Sequence, residues 1–175
     1  MITMYQASVP PCLRTLEALS AVLDKAAAHC EARKIEPAAL LLDRLYPDMF
    51  TFTRQVQIAT DSAKLGCARL AGVTPPSDPD TESSFPELKQ RLAKTIAFLK
   101  TLTPEQMEGS ETKEIVIPMR DTKLHLPGLA YLQGLALPNL YFHASTAFGL
   151  LRHNGVEIGK RDFLGALSTE PAASR

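Results

Sequence analysis

Hydrophobic residues recur along most of this chain at steps of three and four, the spacing that gathers them on one side of an α-helix. In the first segment, from about Met4 to Ala32, the stripe is Leu13, Leu16, Leu19, Leu23, Ala27 and Cys30. Pro10 and Pro11 fall inside it. Each ring removes a backbone donor, so a bend or restart is expected there. Pro37 then opens a short helical piece over Ala38–Leu45, which Pro47 interrupts. The clearest pattern runs from Asp48 to Ala71, with Met49, Phe52, Val56, Ala59, Ala63, Cys67 and Leu70 on one face. Gly72 and Pro75-Pro76 are stop signals for it. Residues 73–83 form a linker rich in Pro, Ser and Asp. Ser84 and Glu87 then stand at capping-box spacing before a third amphipathic helix bearing Phe85, Leu88, Leu92, Ile96, Leu99 and Leu102.

The period next changes to two. Ile115, Ile117 and Met119 alternate with other residues, and Leu124 and Leu126 follow a turn at Arg120-Asp121-Thr122, which predicts a hairpin. A lone hairpin is marginal in water and is expected to rest on the helices. Pro127-Gly128 opens a last long helix, which reaches His153 before Asn154-Gly155 ends it. Phe163 and Leu164 are apolar enough to dock, and the tail 168–175 is expected to be disordered. The predicted fold is all-α: an antiparallel four-helix bundle with a small β-hairpin between the third and fourth long helices, in a single domain over residues 1–167.

Charge refines this picture. The 175 residues carry 19 Lys plus Arg against 19 Asp plus Glu. Such balance disfavours a nucleic-acid groove, which calls for a basic excess, and a polybasic membrane patch. None of those charges falls in residues 124–151. A membrane span is rejected there, because His125, Gln133, Asn139, His143, Ser145, Thr146 and two prolines would lie without partners in lipid. The fourth helix is instead expected to have protein on most sides. Tyr141, Phe142 and Phe148 extend its apolar surface, to be covered by the tail or by a second subunit, and a homodimer is the expected assembly. Cys12, Cys30 and Cys67 show no metal or disulfide spacing; Cys30 and Cys67 sit on apolar stripes, while Cys12 is expected to be more exposed. With no signal segment in Met1–Pro11, the expected compartment is the reducing cytoplasm.

Bundles build their sites from inward polar side chains. At 100° per residue, Leu132, Ala136, Asn139, His143, Thr146, Ala147 and Leu150 share a face, so His143 lies in the middle of an apolar stripe. On the second helix Asp48, Gln55 and Ser62 flank the apolar face at heptad spacing. The candidate pocket is therefore His143, Asn139, Thr146, Gln55, Ser62 and Asp48. A neutral imidazole there serves as a metal ligand or proton acceptor, or else as a buried histidine bonded to its neighbours. Asp61, near Arg54 and Lys64, is read as one member of a solvated charge pair rather than a catalytic carboxylate.

Three segments together carry a resemblance: YQASVPPCLRTLEALSAVLDKAAAH, RLYPDMFTFTRQVQIATDSAKLGCARLAGV and LPNLYFHASTAFGLLRHNGVEIGKRDFLG. From Tyr5 to Gly165 the chain resembles a family of unknown function within the DinB/YfiT-like superfamily of four-helix bundles. The resemblance implies a DinB-like bundle, often dimeric. It also implies a divalent-metal site of three histidines, one on the second helix and an HxxxH pair on the fourth. Here His143 matches one fourth-helix ligand, but Ala147 and Asn139 stand where its partner would be, and Ser62 is the expected facing residue. One histidine with hydroxyl and amide groups is a poor zinc or nickel site. Two main functions are thus expected. One is a binding or stress-associated protein with a degenerate metal site and a small-molecule ligand. The other is a metal- or thiol-dependent transferase or hydrolase using the pocket around His143. A purely structural dimer is the third.

Overall fold

The computed structural model describes residues 2–166, so the expected disordered tail, 168–175, and the domain end at 167 lie outside it. Four long helices form the body: α1 (Met4–Arg33), α3 (Phe52–Ala71), α4 (Phe85–Leu99) and α6 (Leu137–His153). Three short helices accompany them: α2 (Pro37–Leu41), α5 (Gly128–Tyr131) and α7 (Lys160–Leu164). Cross-contacts set the directions. Glu17 pairs with Lys100 and Asp24 with Lys89, so α1 and α4 are antiparallel. Gln55 meets His143 and Ser62 meets Asn139, so α3 and α6 are antiparallel as well.

Local chemistry explains the boundaries, including those the pattern misplaced. Helix α1 runs through Pro10-Pro11 without restarting, because Val9, Cys12 and Leu16 lock the turns on either side into the core. Thr3 begins it with a full capping box to Gln6. Helix α3 starts at Phe52, not Asp48: the Thr51 hydroxyl accepts from the Arg54 N–H at 3.4 Å, and Asp48 and Met49 belong to the preceding turn. Gly72 then ends α3 in the left-handed conformation that glycine adopts without a side-chain penalty.

Strands β1 (Glu114–Pro118) and β2 (Lys123–Pro127) pair antiparallel between α4 and α5, with Ile117 opposite Leu124. Ile115 and Ile117 are buried against the body, as expected, whereas Met119 lies beyond the strand and is exposed. Helix α5 continues into a π-helical turn at Leu132–Ala136 and on into α6, so the uncharged segment is one rod with a widened turn. At Gly66 α3 approaches this turn closely: an added Cβ would lie 3.2 Å from the Ala136 methyl. The Phe163 ring of α7 packs edge-on against Phe148 of α6, with centroids 5.7 Å apart. The tail thus covers that side of the fourth helix, while Tyr141 and Phe142 stay exposed. Among the described residues, no helix is long and apolar enough to cross a membrane.

Candidate functional site

His143 is buried, and it faces Gln55 rather than Ser62. Gln55 and Ser62 lie two turns apart on one face of α3, so the antiparallel alignment of α3 and α6 along their axes decides between them, and Ser62 falls opposite Asn139 instead. A one-way chain of hydrogen bonds orients the imidazole. The Phe50 carbonyl can only accept, so it takes a proton from Gln55 Nε2 at 3.2 Å. That fixes the amide with Oε1 toward His143 Nδ1, 2.6 Å away. Nδ1 must then carry the proton, and Nε2 keeps its lone pair. No described protein group bonds Nε2. The exposed Phe142 ring stands edge-on to the imidazole at 5.1 Å.

Burial, and then the positive charge of Arg54, hold the His143 pKa below its ordinary value. A histidine with a depressed folded pKa makes the unfolded state the better proton binder, so its stability contribution is complete above the unfolded pKa. It is lost as pH falls through the folded pKa. Tm is therefore expected to hold down to the ordinary imidazole value of about 6.5 and to drop as pH falls below it. In His143→Gln that part of the slope should vanish; an unchanged slope in calorimetric melts would contradict the neutral imidazole.

The other expected residues divide. Asn139 Nδ2 donates to Ser62 Oγ at 3.0 Å, and Ser62 donates to the Ile58 carbonyl, so these two meet at the rim of the α3–α6 seam. Thr146 returns its hydroxyl proton to the Phe142 carbonyl, one turn back on its own helix. Asp48 is exposed in the loop before α3 and joins none of them. The cavity beside this seam, about 250 Å³, runs along Arg54, Asp61, Ser62 and Arg69 of α3. Tyr131, Ala136 and Asn139 face them across it.

Much of the site's electrostatics has no counterpart in the helical patterns. Asp61 is bound by Arg91 of α4 at 2.9 Å and by Lys64 at 3.2 Å, and both cations are buried. Arg91 also holds Asp80 at 3.0 Å and Glu82 at 3.1 Å, while Lys64 holds Asp78 at 2.7 Å. Arg54 pairs with Asp80, and Gln57 donates to Glu82 at 2.9 Å. Burial alone would lower the Arg91 pKa, but Asp61 and Glu82 outweigh it and keep the guanidinium above its ordinary value. The linker read as a plain tether is therefore fastened across α3 and α4. Its own alternation of Asp78, Asp80 and Glu82 was the available signal.

All three cysteines are buried, including Cys12, for which the sequence pattern suggests more exposure. The neighbouring Cys12 thiol and burial push the Cys67 thiol well above the usual range. Burial also raises the Cys30 thiol, so these two are less reactive than an exposed thiol.

Among the described residues no three His, Cys, Asp or Glu side chains gather as metal ligands. His143 has spent Nδ1 on a neutral amide, and the groups nearest it are amides and hydroxyls. This donor set does not fit a resident zinc or nickel ion.

Comparison with known proteins places the fold. A DinB family member protein from Shewanella denitrificans superposes with a TM-score of 0.91 at 40% identity, covering 96% of this chain and 95% of that one. A DinB-like protein from Bacillus subtilis gives 0.56 at 20% identity, covering 84% and 91%, which shows the fold alone. No curated protein matches. The family described as a domain of unknown function, DUF1993, matches residues 4–164. The chain belongs to the DUF1993 family and has a DinB-like bundle fold.

Proposed function

We propose that the protein is a ligand-binding bundle in which an oriented, neutral imidazole replaces the metal centre implied by the wider superfamily. The observation that supports this reading is the chain from the Phe50 carbonyl through Gln55 to His143. Metal-ligating histidines commonly have their second nitrogen fixed by a carboxylate, carbonyl or water. Here the fixing group is present and the companion ligands are not. The imidazole keeps one acceptor lone pair, on Nε2. The same lone pair would suit a general base in the transferase or hydrolase reading. The ligand is assigned to the neighbouring cavity, lined by Asn139 and Ser62, because His143 is 7% exposed and is not part of that lining; the same enclosure disfavours a base acting on substrate there.

Elemental analysis of untagged protein, after exposure to zinc and removal of the excess, is expected to find far less metal than protein, with no change in His143→Ala. Stoichiometric metal that disappears in His143→Ala would reject the proposal. The homodimer belongs to the same reading, with the exposed Tyr141 and Phe142 as its contact face. Sedimentation of the same sample as a monomer at micromolar concentration would remove the dimer and leave the binding site untouched.

A further inference from the structure

The cations along the α3–α6 cavity are not equivalent. Arg54 is paired with Asp80, and Asp61, the carboxylate in the lining, is neutralised by Lys64 and Arg91. Arg69 has no carboxylate partner among the described residues. Its Nη1 donates to the Tyr131 hydroxyl at 2.9 Å, and its guanidinium stands 5.8 Å from the centre of the same ring. A guanidinium carries five N–H donors in a rigid fork, so most of them remain to be used.

Tyr131 is 2% exposed and is held in the core, which fixes the arginine that rests on it. Its hydroxyl oxygen accepts from Arg69, while its own proton has no protein acceptor among the described residues. Burial keeps this phenol protonated by raising its pKa. Directly after Tyr131 the helix widens into the π-turn, which brings Leu135 and Ala136 into the wall opposite Ile58 and Leu65. Such turns recur at functional sites because they displace side chains from regular helical positions.

We propose that this cavity binds a small organic acid, with its carboxylate on Arg69 and Tyr131 and its apolar body along Ile58, Leu65 and Leu135. This names the ligand class for the binding role above and rests on that reading. A fork of N–H donors beside a phenolic O–H matches the two oxygens of one carboxylate. A phosphate dianion fits worse, since Asp61 shares the lining. The volume, about 250 Å³, is slightly below the roughly 300–1,000 Å³ of typical small-molecule sites, which favours a short acid.

The test is calorimetric titration of the full chain with sodium hexanoate, and with inorganic phosphate and hexan-1-ol as comparison probes. Hexanoate is expected to bind saturably and more tightly than either. Arg69→Gln should weaken it at least about tenfold, as expected for loss of a charge-assisted pair, with part of the affinity recovered in Arg69→Lys. Asn139→Trp, at an exposed rim position, should block the mouth and weaken hexanoate whether or not Arg69→Gln folds. Failure of hexanoate to bind, equal binding by the variants, or tighter binding of phosphate would overturn the proposal. Metal content measured on the same sample separates the two readings: stoichiometric metal rejects the metal-free centre, while loss of hexanoate binding without metal rejects the acid site alone.

Discussion

Replacing Arg91 with alanine is expected to destabilise the fold by about 3–5 kcal/mol, the usual result of removing one partner from a buried ion pair. For a chain of this size that corresponds to a fall in Tm of roughly 6–20 °C. The arginine side chain is 1% exposed and touches three carboxylates, Asp61, Asp80 and Glu82, on two separate parts of the chain. It also donates to the Pro79 carbonyl at 3.2 Å. Without it, Glu82, itself 11% exposed, keeps only the Gln57 amide as a partner. The linker then loses its principal attachment to α4. Lys89→Ala is the matched comparison, because its partner Asp24 is largely exposed and such pairs contribute little. Urea unfolding followed by far-UV circular dichroism measures both. A loss for Arg91→Ala no greater than that for Lys89→Ala would show that the buried cluster adds nothing beyond a surface pair.

Gly128→Ala should be about as damaging, for a steric reason. A Cβ at this position would lie 1.9 Å from the Ser110 carbonyl oxygen and 3.1 Å from a Leu70 methyl. The obstacle is backbone in a buried segment and cannot rotate away. The Gly128 N–H also bonds the Lys113 carbonyl at 2.9 Å, and Leu129 N–H bonds that of Glu111 at 3.0 Å. These contacts tie the end of β2 to the start of the long uncharged rod. The expected loss is about 3 kcal/mol or more, at the upper end for overpacking, with a chain that fails to fold as the extreme. Gly149→Ala, in α6 with open space around the added methyl, should instead gain up to about 1 kcal/mol from helix propensity. Similar behaviour of the two variants would refute the contact at Ser110.

The sequence pattern carried most of the helices, because burial of an amphipathic face repeats every few residues and needs no knowledge of the partner. It also singled out His143, whose apolar surroundings on its own helix are a local property. Its partner was harder to identify. Ser62 and Gln55 lie two turns apart on one face of α3, and which of them meets His143 depends on how far α3 and α6 slide past each other, which no local pattern records. Asp48 was placed on α3 because heptad spacing continues through the loop, but the Thr51 cap sets the real start. Arg91 and Tyr131 were missed for a different reason. On α4 an arginine among Lys89 and Lys94 looks solvated, and only the returning linker buries it. Tyr131 gains its role solely from Arg69, 62 residues earlier in the chain.

That linker has a consequence for how the chain tolerates change. Connections between helices are ordinarily where insertions and deletions are accepted, because little is lost when their ends move apart. Residues 78–82 instead present their acidic side chains to cations beneath them at every second position, so register matters here as it does in a strand. Lengthening the connection by a single residue would turn Asp78, Asp80 and Glu82 away from Lys64 and Arg91 together. In this bundle the segment joining α3 to α4 has the indel sensitivity of core structure, and loop grafting is better directed to the exposed hairpin turn at residues 119–122.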